Sequence, residues 1–132
     1  GYSGLRERRY DRPDEKIATL TVRIETLDGA LPPERPVAFV KIDVEGAELA
    51  VLRGARRTLA RWRPHVVFEH GRGAADRYDA APQDVFDLLE SCGLATSLLE
   101  RRLAGRAPLS RSEFVRQFET GANWYFVAHP TS

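Results

Sequence analysis

Val37-Ala38-Phe39-Val40-Lys41-Ile42-Asp43-Val44-Glu45-Gly46-Ala47-Glu48-Leu49 decides how the rest of this chain is read. Val37 to Val44 is nearly continuous apolar sequence, rich in β-branched side chains. That is the composition of a strand buried on both faces, as in a parallel sheet. Gly46 ends the run. A helical spacing then takes over: Leu49, Leu52, Ala55 and Leu59 recur on one face, with Arg53, Arg56, Arg57 and Arg61 largely on others. The spacing predicts one helix from Ala47 to Trp62. Arginines in its last turns suit the negative end of the helix dipole, and Pro64 stops it.

Downstream, His65-Val66-Val67-Phe68-Glu69 reads as a second short strand, and Gly71 to Ala81 as a loop. Pro82 suits the first position of a helix whose apolar face is Val85, Leu88, Leu89 and Cys92, with Gly93 as its stop. Leu94 to Leu103 reads as a strand. Ser110 and Glu113 form the S-x-x-E capping box of a short helix through Glu119, and Trp124 to Ala128 closes as a strand. Upstream, Leu20, Val22 and Ile24 alternate with Thr19, Thr21, Arg23 and Glu25, which predicts a half-buried strand over Ile17–Glu25. Thr26-Leu27-Asp28 can start a short helix, and Leu31 to Pro36 is a proline-rich loop. Strands and helices alternate, so the fold class is α/β with a mostly parallel sheet. The last two strands are read as antiparallel neighbours at the sheet edge. The chain divides into an N-terminal segment, 1–36, with one strand and a loop, and the remainder, 37–132.

At 132 residues the chain is one domain or less; 42% hydrophobic and 30% charged residues exclude disorder over most of its length. No apolar run is long enough to span a bilayer, and the first residues lack the basic-then-apolar pattern of a secretory signal. Basic and acidic residues number 20 and 19, and arginines interleave with carboxylates, as in Arg6-Glu7-Arg8-Arg9-Tyr10-Asp11-Arg12. Neither nucleic acid nor membrane is therefore expected as a partner. The single cysteine, Cys92, fits a reducing cytoplasm. With no methionine, even at position 1, the expectation is a portion of a longer chain.

In open α/β sheets, ligands bind beyond the carboxyl ends of the strands. That rule selects Asp43 and Glu45 after one strand, and Glu69 and His70 after the next. Lys41 and Asp43 stand in or beside a strand otherwise fit for burial, where charge must be paired or used. Glu45 and Glu48 at the start of the following helix serve equally well as dipole-complementing caps.

The block Val37–Leu49, followed by Val51-Leu52-Arg53-Gly54-Ala55 and then Pro64 to Glu69, resembles the hallmark of the FkbM family of methyltransferases. Thr26-Leu27-Asp28 and Ser3-Gly4-Leu5 resemble further elements of that family. The resemblance implies the C-terminal part of a class I, Rossmann-like methyltransferase sheet, in which the last strand runs antiparallel. It implies S-adenosyl-L-methionine as cofactor and O-methylation of a small-molecule or sugar hydroxyl. Asp43 would lie beside the methionine end of the cofactor or the acceptor, and His70 would act as base. Glu69 would orient His70 or bind substrate hydroxyls, and Glu45 would bind substrate. Asp43 with Glu69 would offer oxygen ligands to Mg²⁺, but no metal is assigned. The family's glycine-rich cofactor turn has no counterpart, and Gly71-Arg72-Gly73 follows the wrong strand. The chain alone is therefore expected to bind cofactor weakly and to be inactive. The alternative is a non-catalytic binding or oligomerisation module. The Val37–Val44 edge is expected to be covered, with Ile17–Glu25 the nearest candidate inside the chain and a second copy or the missing N-terminal half, supplied by another chain, favoured over it.

Overall fold

The computed structural model describes residue 16 and residues 18–131. Four strands form one mixed sheet: β1 (Phe39–Ile42), β2 (His65–Glu69), β3 (Leu94–Ser97) and β4 (Tyr125–Pro130), in the order β1-β2-β4-β3. β1 and β2 pair in parallel, Phe39 opposite His65 and Ile42 opposite Phe68. β4 is antiparallel to both of its neighbours, so β3 points the same way as β1 and β2. The chain is thus α/β, with three strands in one direction but only one parallel pairing. The last two strands are antiparallel neighbours at one edge of the sheet, as expected, with β4 between β2 and β3.

Successive residues of a strand face opposite sides of the sheet. One face carries Ile42, Val66, Phe68, Phe126, Ala128 and Leu94, all buried. They join a single core with Leu49, Leu52 and Leu59 and with the aromatic residues that follow. The helices supplying that core are α2 (Glu48–Arg53), α3 (Arg56–Trp62), α4 (Pro82–Ser91) and α6 (Arg111–Thr120). Phe114 of α6 sits at its centre, edge-on to Phe126 with ring centroids 4.7 Å apart and close to Phe68 and Phe86. The opposite face is half covered. α5 (Leu99–Leu103) lies against β4, and Val127 and His129 are buried, but Phe39 remains 61% exposed and Lys41 and His65 are exposed. The expectation that β1 is buried on both faces fails here. Among the described residues β1 is an edge strand with one apolar side packed and the other uncovered.

Local chemistry sets several boundaries. Pro82 opens α4. Ser110 and Glu113 form the complete capping box of α6, and Gly121, with φ +67°, ends it. Three expectations need correction. The segment Leu94–Leu103 is a four-residue strand followed by α5, since only Leu94–Ser97 finds a partner in β4. Residues 18–26 form no strand, and Leu20, Val22 and Ile24 are 82%, 65% and 74% exposed. Alternation alone does not make a strand without a neighbouring edge to pair with. Ile17 and the Ser3-Gly4-Leu5 element lie outside the described residues.

The third correction concerns the helix predicted from Ala47 to Trp62, which is two helices broken at Gly54–Ala55. The cause is the Thr26-Leu27-Asp28 element. Thr26 caps α1 (Leu27–Ala30), its hydroxyl accepting the Gly29 amide at 3.0 Å. The Gly54 carbonyl turns out of the helix to accept the Asp28 amide at 2.9 Å. A Cβ on Gly54 would stand 3.0 Å from Thr26. The Asp28 carboxylate then caps α3, accepting the amides of Arg57 and Thr58 at 2.9 and 3.0 Å and the Thr58 hydroxyl at 2.8 Å. Burial acts to raise the pKa of Asp28. The hydrogen bonds from Thr58 and Arg57, with the Arg57 charge, outweigh it and hold the carboxyl below its usual range.

Candidate functional site

Because Ile42 stands opposite Phe68, the next residues of β1 and β2 leave the sheet at the same edge. Asp43 follows β1 and Glu69 ends β2. Tyr125, opposite Glu69 on β4, adds a hydroxyl. Its hydrogen bond to Glu69 and the Glu69 charge, then partial burial and the charges of Asp43 and Glu45, push its pKa up. Asp43, Glu45 and Glu69 therefore share one acidic rim with Tyr125. Asp43 is exposed and pairs with Lys41 at 3.4 Å. Neither is a buried charge, so the burial reasoning that singled them out does not hold; their place at the strand end remains.

Below the rim lies a cleft of about 250 Å³. Its lining includes Glu45, Glu48, Glu69, Arg72, Asn123 and Trp124. The loop after β1 is tightly built. Glu45 and Gly46 both have positive φ, and at Gly46, with φ +107°, a Cβ would fall 2.1 Å from the Ala74 carbonyl oxygen. That turn starts α2 with Glu48 pointing inward. Glu48 is 2% exposed, and its Oε1 accepts the Gly46 amide at 2.8 Å. Its Oε2 lies 3.8 Å from Nδ1 of His70.

His70 is neither solvated nor open to the cleft. It is fully buried, stacked on Phe118 with ring centroids 4.7 Å apart and parallel to Phe114 within 4°. Its amide donates to the Trp124 carbonyl at 2.8 Å. The carboxylate beside its ring is Glu48, not Glu69. Composition alone reads Glu48 as a helix cap. A sharper signal is its phase: Glu48 stands four residues before Leu52 and seven before Ala55, on the apolar stripe of its helix. Tyr125 at the rim and Arg72 and Asn123 in the cleft carry no comparable signal, because they reach their places only through tertiary packing.

The chain matches the methyltransferase FkbM domain over residues 2–94, more than half of its 132 residues. It belongs to the FkbM methyltransferase family. No curated protein and no solved structure matches it. The FkbM match spans the rim residues Asp43, Glu45 and Glu69 and the Glu48–His70 pair, while α6 and β4 lie beyond it. Two walls of this FkbM site, Phe118 and Trp124, are therefore contributed from outside the matched region. No described helix is long and apolar enough to cross a membrane. Among the described residues, no group of three or more His, Cys, Asp or Glu side chains is arranged to hold a metal.

Proposed function

We propose that this methyltransferase is dependent on S-adenosyl-L-methionine and methylates a hydroxyl oxygen of a small molecule or sugar at the cleft beyond β1 and β2. The observation that carries this reading is the position of the acidic rim at the carboxyl ends of two adjacent parallel strands, where open α/β sheets bind ligands. The sheet order and the antiparallel last strand support a Rossmann-like, class I reading of the fold.

The donor set fits one end of the cofactor. A sulfonium and an ammonium are both cationic, and Asp43, Glu45 and Glu69 concentrate negative charge at the rim. The nucleoside end finds no matching cradle among the described residues. The Gly71-Arg72-Gly73 turn follows β2, and its Gly73 amide is used by the Asp76 carboxylate at 3.2 Å. When bound, the cofactor supplies a methyl group on sulfur. The chain's own work is to orient the acceptor and take its hydroxyl proton. In this reading Asp43 holds the cationic end and Glu69 and Glu45 bind acceptor hydroxyls, while His70, buried behind Glu48 and closed to the cleft, acts on the proton only through its neighbour.

The test is methyl transfer from radiolabelled S-adenosylmethionine to a panel of polyols and glycosides by the product of the intact gene. Label in an ether-linked methyl group is expected. Its absence across the panel, with no heat on titration with S-adenosylhomocysteine, would instead favour the non-catalytic module, a reading supported by the lack of a nucleoside cradle. The present chain alone is expected to bind that nucleoside weakly. Acceptor pairing apart, the proposed partners are a second copy or another segment along the open edge of β1, with no nucleic acid or membrane. The proposed compartment is the cytoplasm.

A further inference from the structure

We infer that Glu48 is the group that receives the acceptor hydroxyl in the cleft, with His70 as its positioning residue; the inference rests on the methyltransferase reading above. The two side chains form a buried pair that is not internally satisfied. Glu48 Oε1 is engaged by the Gly46 amide, but Oε2 has no hydrogen-bond partner. Neither ring nitrogen of His70 has one. The 3.8 Å between Oε2 and Nδ1 is beyond hydrogen-bond reach. Leaving buried polar groups unpaired forfeits the solvation they had in the unfolded chain. A pair with a purely structural role would be expected to close that gap.

Nothing in the surroundings lets His70 move to close it. Its ring lies between Phe114 and Phe118, and its amide is held by Trp124. Glu48 is anchored at Oε1 by the Gly46 amide, while nothing bonds Oε2. Of the two, only Glu48 lines the cleft. The other charged groups there are the carboxylates of Glu45 and Glu69 and the guanidinium of Arg72, which donates to the Glu119 carbonyl at 3.2 Å.

Oε2 is itself closed to the surface, so an acceptor O–H in the cleft supplies the donor that Oε2 lacks once the carboxylate turns about its Gly46 anchor toward the cleft. In the proton transfer, the acceptor's O–H bond breaks and its electron pair stays on oxygen. A new O–H bond forms at Oε2, so the negative charge passes from the carboxylate to the acceptor oxygen. His70 acts through Glu48, its imidazole holding the dipole and orientation that the carboxyl group meets on its buried side.

Two measurements test this. In the first, glycerol and methyl α-glucopyranoside are titrated into the present chain labelled with ¹³C at glutamate carboxyls, with the Glu48 signal assigned by Glu48→Gln. Gln can still accept the Gly46 amide, so the fold is kept. A saturable shift of the Glu48 signal is expected, with a concurrent shift of the His70 ring nitrogens. Affinity should be about tenfold weaker in Glu48→Gln and in His70→Asn. Shifts confined to Glu45 and Glu69, or no shift with either probe, overturn the inference. In the second, methyl transfer by the intact gene product is followed against pH. Glu48→Gln should lower kcat by about 100-fold with little change in KM, and His70→Asn should displace the pH profile. A wild-type enzyme that transfers methyl while Glu48→Gln keeps its kcat defeats the role of Glu48 and leaves the methyltransferase standing. A wild type that transfers nothing defeats the methyltransferase reading, and the carboxyl titration still decides whether Glu48 binds hydroxyls.

Discussion

Asp28 shows how much one side chain can organise. It caps α3 from 29 residues upstream of Arg57 and leaves Thr58, itself buried, fully bonded. Asp28→Ala removes three acceptor contacts and should cost about 2 kcal/mol, read as a lower urea midpoint at unchanged slope. Its depressed pKa also fixes a pH dependence. The stabilisation is complete above the carboxyl range of the unfolded chain and is lost as pH falls through the lower, folded value. Asp28→Asn should flatten the acid limb of the stability curve. Asp43 is the contrasting case. It is exposed, and among the described residues its ion pair is with Lys41, so Asp43→Asn should leave the unfolding free energy within about 0.5 kcal/mol of wild type, read from urea unfolding. In the intact enzyme the same change should cut turnover; a loss of folding instead would make Asp43 structural.

Turns and helices depend on contacts that single residues make possible. Gly46 and Gly121 both have positive φ, but only Gly46 is also packed against backbone. Gly46→Ala should cost about 3 kcal/mol or more, since strain and a clash with Ala74 add. Gly121→Ala, with open space around it, should cost about 1 kcal/mol. Thermal unfolding of the two variants compares them directly, and equal losses would mean that the Gly46 turn can relax. In α6, Phe114 joins the helix to β2, β4 and α4 through one ring. Phe114→Ala should cost about 3–5 kcal/mol. It should also loosen His70, detectable as broadening of the imidazole resonances.

Among the described residues the sheet ends at β1, whose outer edge no strand pairs. The Ala38 carbonyl accepts the His65 amide at 3.0 Å, so Ala38, Val40 and Ile42 turn their backbone groups toward β2. Phe39 and Lys41 turn theirs outward, where no described strand pairs with them. An apolar edge of this kind is a template for another strand. In the monomer, amides of Phe39 and Lys41 should exchange with solvent much faster than those of Val40 and Ile42. Slow exchange at all four, with a sedimenting species larger than one chain, would show that a second copy pairs there. The exposed Phe39 on the bare face and the exposed Leu20, Val22 and Ile24 point to the same deficit of covering structure.

The sequence by itself determined the α/β class, most element positions and the edge at which the acidic residues gather. These are short-range properties: β-branched apolar runs, helical phase, Pro82 at a helix start, the Ser110–Glu113 box, and the rule that a strand delivers its last residue to one end of a sheet. Only the tertiary structure decided the break at Gly54, because its cause is Asp28 and Thr26 arriving from another part of the chain. It alone placed β4 between β2 and β3, since local pattern does not choose a strand's neighbour. It alone removed cover from β1, because burial depends on what packs against a face, not on how apolar the face is. It also joined Glu48 to His70. A buried carboxylate and a buried imidazole meet only when the start of α2 packs beside the end of β2, with α6 covering the imidazole.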